Sequence, residues 1–110
     1  MQNTLRRELH QLHAEICQAL SDPTRILILY ELRDGARNVG ELAEAFGISQ
    51  PSVSRHLKVL RDRRMVRAER NGMNIYYSVA DARVLQALDL LREMLAQTIE
   101  GHQVLILEAG

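Results

Sequence analysis

Apolar positions recur along this chain mostly at helical intervals, and in one stretch they alternate. Leu5, Leu9, Leu12 and Ile16 stand at 4-3-4 spacing, one stripe of an amphipathic helix from about Thr4 to Leu20. Ser21-Asp22-Pro23 then marks a helix start: Asp22 can cap the free amides, and Pro23 sits where a missing N–H costs nothing. The run Ile26-Leu27-Ile28-Leu29-Tyr30 is apolar on every side, a pattern that a buried strand would also show. The capping signal decides for a helix buried most of the way round, ended at Asp34-Gly35. Glu41 to Phe46 reads as a short helix, with Leu42 and Phe46 one turn apart and Gly47 just past its end. Ser49 caps a further helix with Pro51 in its first turn and Val53, Leu57 and Leu60 as its apolar stripe. Two short helices joined by Gly47-Ile48-Ser49 have the sequence form of a helix-turn-helix.

The alternating stretch comes next. Met65 to Arg70 and Met73 to Val79 flank Asn71-Gly72, and Asn-Gly between two such runs predicts a hairpin with a type I′ turn. Val66 and Ala68 alternate with Arg67 and Glu69, and Ile75, Tyr77 and Val79 with Tyr76 and Ser78, so one face packs and the other stays open. Of Tyr76 and Tyr77, one is then core and one exposed. Asp81 caps a last helix running to about Gln103 or beyond, its C-terminal boundary left open by Gly101, with Val84, Leu88, Leu91, Leu95, Thr98 and His102 at coiled-coil-like spacing. The expected architecture is mainly α with a small hairpin: a winged helix-turn-helix of about five helices plus a two-stranded antiparallel wing, in one domain over residues 1–110.

Composition narrows the function. At 110 residues, 46% apolar and 25% charged, the chain is one ordinary globular domain. It holds only three Tyr, one Phe and no Trp, too few for the stacking platforms that single-strand binders use. There is no apolar run near 18 residues and no basic-then-apolar leader, so neither a membrane span nor a secretory signal is expected. The single Cys17 rules out an internal disulfide and fits a reducing cytoplasm. The net charge is zero, yet from Gln50 to Tyr77 there are seven basic residues against two acidic ones, and the rest of the chain is acidic. A basic middle in an acidic remainder fits either a solvated charged face or a surface for a polyanion.

A helix-turn-helix, a hairpin behind it and a local excess of positive charge together describe a reader of duplex DNA. The helix from Ser49 to Arg61 would enter the major groove, leaving Gln50, Ser52, Ser54, Arg55, His56, Lys58 and Arg61 outside or on its flanks. Gln and Arg can bond base edges bidentately, Ser can reach bases or phosphates, and the free amides beside Ser49 can hold a phosphate. At the hairpin tip, Arg70 and Asn71 can reach a phosphate or the minor groove. Arg61, Arg63 and Arg64 fit phosphate contact or, equally, a solvated run at a helix C-terminus.

The residues that carry this reading also resemble a family. Ser21-Asp22-Pro23-Thr24-Arg25, Glu41-Leu42-Ala43 and above all Ser49-Gln50-Pro51-Ser52-Val53-Ser54-Arg55-His56-Leu57-Lys58-Val59-Leu60 are similar to the ArsR-type (ArsR/SmtB) winged-helix repressors, as is the wing from Val66 to Tyr77. The resemblance runs from about residue 10 to about residue 100. It implies a dimeric bacterial repressor released from an operator by a ligand. It places Gln50, Ser52, Ser54, Arg55 and His56 on recognition-helix positions, and the first and last helices in a dimer interface. The pattern asks for such an interface independently, because the two leucine seams and the apolar second helix are more than the rest of the chain can cover. Leu5, Leu9, Leu12 and Ile16 on the first helix, and Leu88, Leu91, Leu95 and His102 on the last, are the expected contacts.

No residue pattern identifies the inducer. The resemblance implies a metal site as Cys-x-Cys after Glu-Leu, but those positions are Ala43 and Ala45. A second family site would use Asp89, Leu91, His102 and Leu105, where two of four ligands are missing. His10, His13 and Cys17 share a helical stripe beside the leucine seam, with His102 on the seam of the last helix expected to pack against it, and a metal or redox role for these four donors stands against the simpler reading of polar neighbours and a small buried filler. Met65, Met73 and Met94 read as packing residues. Neither metal nor cofactor is expected. No phosphate loop, acid pair or nucleophile-and-base order appears, so an enzyme is not expected. The alternative function is a winged-helix protein-interaction module without DNA binding. It would show apolar anchors on the outer face of the helix from Gln50 to Arg61, where only Pro51 and Val59 could serve.

Overall fold

A computed structural model describes the backbone of residues 2–109 and the side chains of residues 2–98. Five α-helices, labelled α1 to α5, and three strands, β1 to β3, form a winged helix-turn-helix. Helix α1 spans Gln2–Leu12 and passes into a π-helical turn at His13–Cys17 before the helix resumes through Ala19. A π turn inserts a residue into the helical repeat and rotates the residues beyond it about the axis. The α spacing that would align His10, His13 and Cys17 on one stripe therefore does not hold across it.

Helix α2 covers Pro23–Glu31, with the Asp22 carboxylate accepting from the Thr24 amide at 2.7 Å. That bond, foremost, holds Asp22 below the usual carboxylate range. A 3₁₀ turn, Leu32–Asp34, ends the segment. Ile28 and Leu29 are fully buried, but Leu27 is 53% exposed, so α2 is not enclosed most of the way round. The apolar run has more faces than the chain's own elements cover.

Helix α3 runs over Val39–Phe46, two residues earlier than the pattern from Glu41 indicated. Its start is a capping box: Asn38 accepts from the Glu41 amide at 2.8 Å while Glu41 accepts from the Asn38 amide at 3.0 Å. Gly47 closes it at φ 63°, the left-handed conformation glycine adopts without strain. Helix α4, Gln50–Asp62, begins where Ser49 Oγ accepts from the Ser52 amide at 3.2 Å.

The wing consists of β2 (Val66–Asn71) and β3 (Asn74–Val79), paired antiparallel from Val66↔Val79 to Asn71↔Asn74. The loop is Gly72-Met73 with only Gly72 at positive φ, so the hairpin forms but not with the type I′ turn at Asn71-Gly72 that the sequence indicated. The sheet has a third strand that the two-stranded expectation lacked. Strand β1, Arg37–Asn38, pairs with β3 at Tyr77 and Tyr76. Tyr77 packs against the core, whereas Tyr76 is half-buried and not open to solvent as a simple alternation would have it. Helix α5 spans Arg83–Ala109, continuing beyond Gln103. Asp81 accepts from the Arg83 amide at 2.9 Å and pairs with the Arg83 guanidinium, which brings its pKa down to about 2.

One core joins these elements. Ile28, Leu29 and Leu32 meet Leu42 and Ala43 of α3, Val53, Leu57 and Leu60 of α4, Val66 of the wing, and Leu85 and Leu88 of α5. The Tyr30 hydroxyl adds a polar tie, donating to Asp89 of α5 at 2.7 Å while the Arg92 guanidinium lies over its ring at 5.1 Å. Burial, then the carboxylate, pushes the Tyr30 phenol up, and the hydroxyl's bond foremost holds Asp89 down. Asp89, which the resemblance would place in a metal set, thus has a structural partner.

Candidate nucleic-acid interface

The apolar stripe of α4 fixes which side of the helix is left open. Val53, Leu57 and Leu60 are buried against α2, α3 and the wing. On the other side Ser49, Gln50, Ser54, Arg55, Lys58 and Arg61 are exposed. Ser52 and His56 are half-buried at the edge. Near the start of α4, Gln50 lies over the α3 N-terminus, its amide nitrogen 3.6 Å from where a Cβ at Gly40 would stand. Lys58 pairs with Asp62 one turn on at 2.9 Å. The pair is solvent-exposed and therefore weak, so Lys58 can exchange this partner for a phosphate at little cost.

His56, expected outside or on a flank of the helix, lies half-buried at that flank. Its Nδ1 faces the Arg25 guanidinium of α2 at 3.5 Å. Arg25 also donates to the Ala19 carbonyl at 2.7 Å, the Gln18 carbonyl at 3.1 Å and Ser21 Oγ at 3.1 Å. No pattern of apolar spacing could have revealed Arg25, because its role comes from three elements meeting at one side chain.

The wing leaves the core at an unusual turn. After α4, Arg64 takes φ 62°, the only left-handed non-glycine conformation among the described residues, and Met65 donates to the Leu60 carbonyl at 2.8 Å. This helix stop swings β2 away so that the hairpin tip projects. Arg70 and Asn71 are exposed there, and Met73 beside them is 98% exposed. The open side of α4 and the wing tip are thus two polar, locally basic surfaces carried by one rigid core.

Of the residues expected at a dimer interface, Leu5, Leu9, Leu12, Leu91 and Leu95 are exposed and Ile16 is half-buried. Leu88, at 7% exposure, is instead buried with Leu85 in the chain's own core. Leu90 and Met94, not singled out by the seam, are exposed beside Leu91 and Leu95. The His102 side chain lies outside the described residues. Among the described residues no three of His, Cys, Asp and Glu converge as a metal site.

The fold and this surface define a winged helix-turn-helix of the bacterial regulatory type. A family model described as "Bacterial regulatory protein, arsR family" matches residues 22–68, from the α2 cap through the start of the wing. The transcriptional regulator NmtR of Mycobacterium tuberculosis is 46% identical over 76 residues, 69% of this chain and 63% of that protein. The transcriptional repressor SdpR of Bacillus subtilis is 44% identical over 64 residues, 58% of this chain and 71% of that protein. The chain spans only 55% to 63% of the length of the mycobacterial relatives it matches. Among solved structures, the homodimeric winged helix-turn-helix DNA-binding domain Mb0332 of Mycobacterium bovis superposes with a TM-score of 0.75 at 29% identity, over 86% of this chain and 87% of that one. The chain belongs to the ArsR family of bacterial regulatory proteins.

Proposed function

We propose that the chain is a sequence-specific reader of double-stranded DNA that acts as a homodimeric transcriptional repressor in the cytoplasm. The observation that carries this reading is the bare hydrophilic side of α4, from Gln50 to Arg61, set beside an exposed basic wing. Ser49, Gln50, Ser52, Ser54, Arg55, His56 and Lys58 are the groove-facing set, and Arg70 and Asn71 the wing contacts. Relatives described as transcriptional regulators and repressors support it, as does the absence of a membrane-length apolar helix among the described residues.

The dimer part rests on apolar surface. Leu5, Leu9 and Leu12 on α1 and Leu90, Leu91, Met94 and Leu95 on α5 are open. A groove of about 490 Å³, lined among others by Leu12, Ile16, Leu20, Val84, Leu88 and Leu91, runs between the two helices. Large contiguous apolar surface of this kind marks an association site. A twofold axis through α1 and α5 covers it and presents two copies of α4 about one helical turn of DNA, ~34 Å, apart, so the operator is an imperfect palindrome. The homodimeric Mb0332 domain supports this arrangement.

A protein-docking role for α4 is disfavoured by its outer face, where exposed Pro51 and half-buried Val59 are the only apolar side chains. An electrophoretic mobility shift on the DNA upstream of the chain's own gene tests the proposal. A specific shift that weakens steeply with salt is expected. Equal affinity for unrelated duplexes, or no shift at all, would overturn it.

A further inference from the structure

Arg25 joins three elements. Its Nε donates to the Ala19 carbonyl, and one terminal nitrogen donates to the Gln18 carbonyl, which also accepts from the Ser21 amide and hydroxyl at the end of the first helix. The same nitrogen reaches Ser21 Oγ, and the other approaches Nδ1 of His56 in α4. A guanidinium can only donate, so a hydrogen bond across this contact takes Nδ1 of His56 as the acceptor, with the ring proton on Nε2. The contact is long at 3.5 Å, but an Nδ1–H tautomer would set two donors against each other there. His56 is half-buried, so part of the ring still meets solvent.

We propose that Arg25 is a positioning residue for DNA recognition: it ties the end of the first helix to His56 and fixes the tautomer that offers Nε2–H as a donor to an acceptor on the duplex. The inference rests on the DNA-binding reading above. It makes the first helix, whose leucines form the dimer surface, and the reading helix share one guanidinium. A shift of the first helix against the core then alters the donor that α4 presents.

Two measurements separate this from a merely structural role and from failure of the DNA-binding reading. The first needs no DNA. Nitrogen-15 NMR of the imidazoles should show wild-type His56 with its proton on Nε2 in the neutral ring, and His56 in Arg25→Met, which removes the donor while keeping the side-chain length, should become a tautomer mixture. An Nδ1–H form in wild type, or an unchanged ring in Arg25→Met, would overturn the proposal. The second is a double-mutant cycle on operator affinity. Arg25→Ala and His56→Ala should each weaken binding about five- to tenfold, the range of one lost hydrogen bond, and the double variant should be no weaker than the weaker single. Additive losses would overturn it. Because Arg25 also holds Gln18 and Ala19, its removal disturbs the first helix, whereas His56→Ala leaves those bonds intact. His56→Gln keeps both an acceptor and a donor, and should restore most of the affinity that His56→Ala loses. No recovery would contradict the donor role.

Discussion

At the scale of single residues, the open side of α4 and the wing tip make separable contributions. Arg55 is exposed in the middle of the reading face, where a guanidinium can bond a guanine edge bidentately. Arg55→Ala should weaken operator binding by about 1–3 kcal/mol and blur the preference at one base position, measured by fluorescence anisotropy against a set of operator variants. Unchanged affinity would show that α4 is rotated away from the assigned orientation. Arg70, at the wing, offers a charge to the backbone and no base pattern. Arg70→Ala should lower affinity on every sequence alike and reduce the slope of log K against log salt by about one. A change confined to one sequence would place Arg70 on a base.

At the scale of elements, the stop of α4 is where sequence and conformation disagree most. Arg64 holds a left-handed backbone that costs a non-glycine residue energy. Arg64→Gly should therefore raise stability by about 0.5–1 kcal/mol in urea unfolding, after the entropy that glycine adds to the unfolded chain. A lower stability would mean that the Arg64 side chain gives more than its backbone costs. The same turn shows what a sequence can announce. Gly47 and Gly72 mark their positive-φ turns by residue type, and Ser49, Pro51 and Asp22 mark their helix starts. Arg64 carries no such mark, because its turn is imposed by Met65 being drawn into the core. Strand β1 was equally hidden: two residues show no alternation, and they pair only because the end of α2 brings Arg37 alongside Tyr77. The α3 start was legible, since Asn38-Val39-Gly40-Glu41 has capping-box spacing, but the short apolar pattern drew attention to Glu41. The open side of α4 followed directly from its stripe, whereas the contact of His56 with Arg25 depends on a second helix.

At the scale of the molecule, the radius of gyration is 17.3 Å, against about 13 Å for a compact chain of this length. The excess comes from α1 and α5, which reach beyond the core with their leucines uncovered. The sequence showed this surplus as seams without partners. It could not show that Leu85 and Leu88 turn inward while Leu90, Leu91, Met94 and Leu95 turn out, because that division depends on where α2 and α4 sit. Leu95→Asp should convert a dimer to monomers in sedimentation equilibrium and cost most of the affinity for a full palindrome while sparing the fold by circular dichroism. A dimer that persists would move the interface elsewhere. Leu57→Ala, in the middle of the core, should instead cost about 2–5 kcal/mol of stability.

The proposed DNA recognition rests on α4 lying with its uncovered side in the groove of a duplex. Mapping backbone amide shifts while the operator duplex is added to the isotope-labelled protein tests this most directly. The largest changes should fall between Gln50 and Lys58 and at Arg70 and Asn71, with the buried core unmoved. Changes centred on another surface, with the amides of α4 undisturbed at saturation, would contradict it.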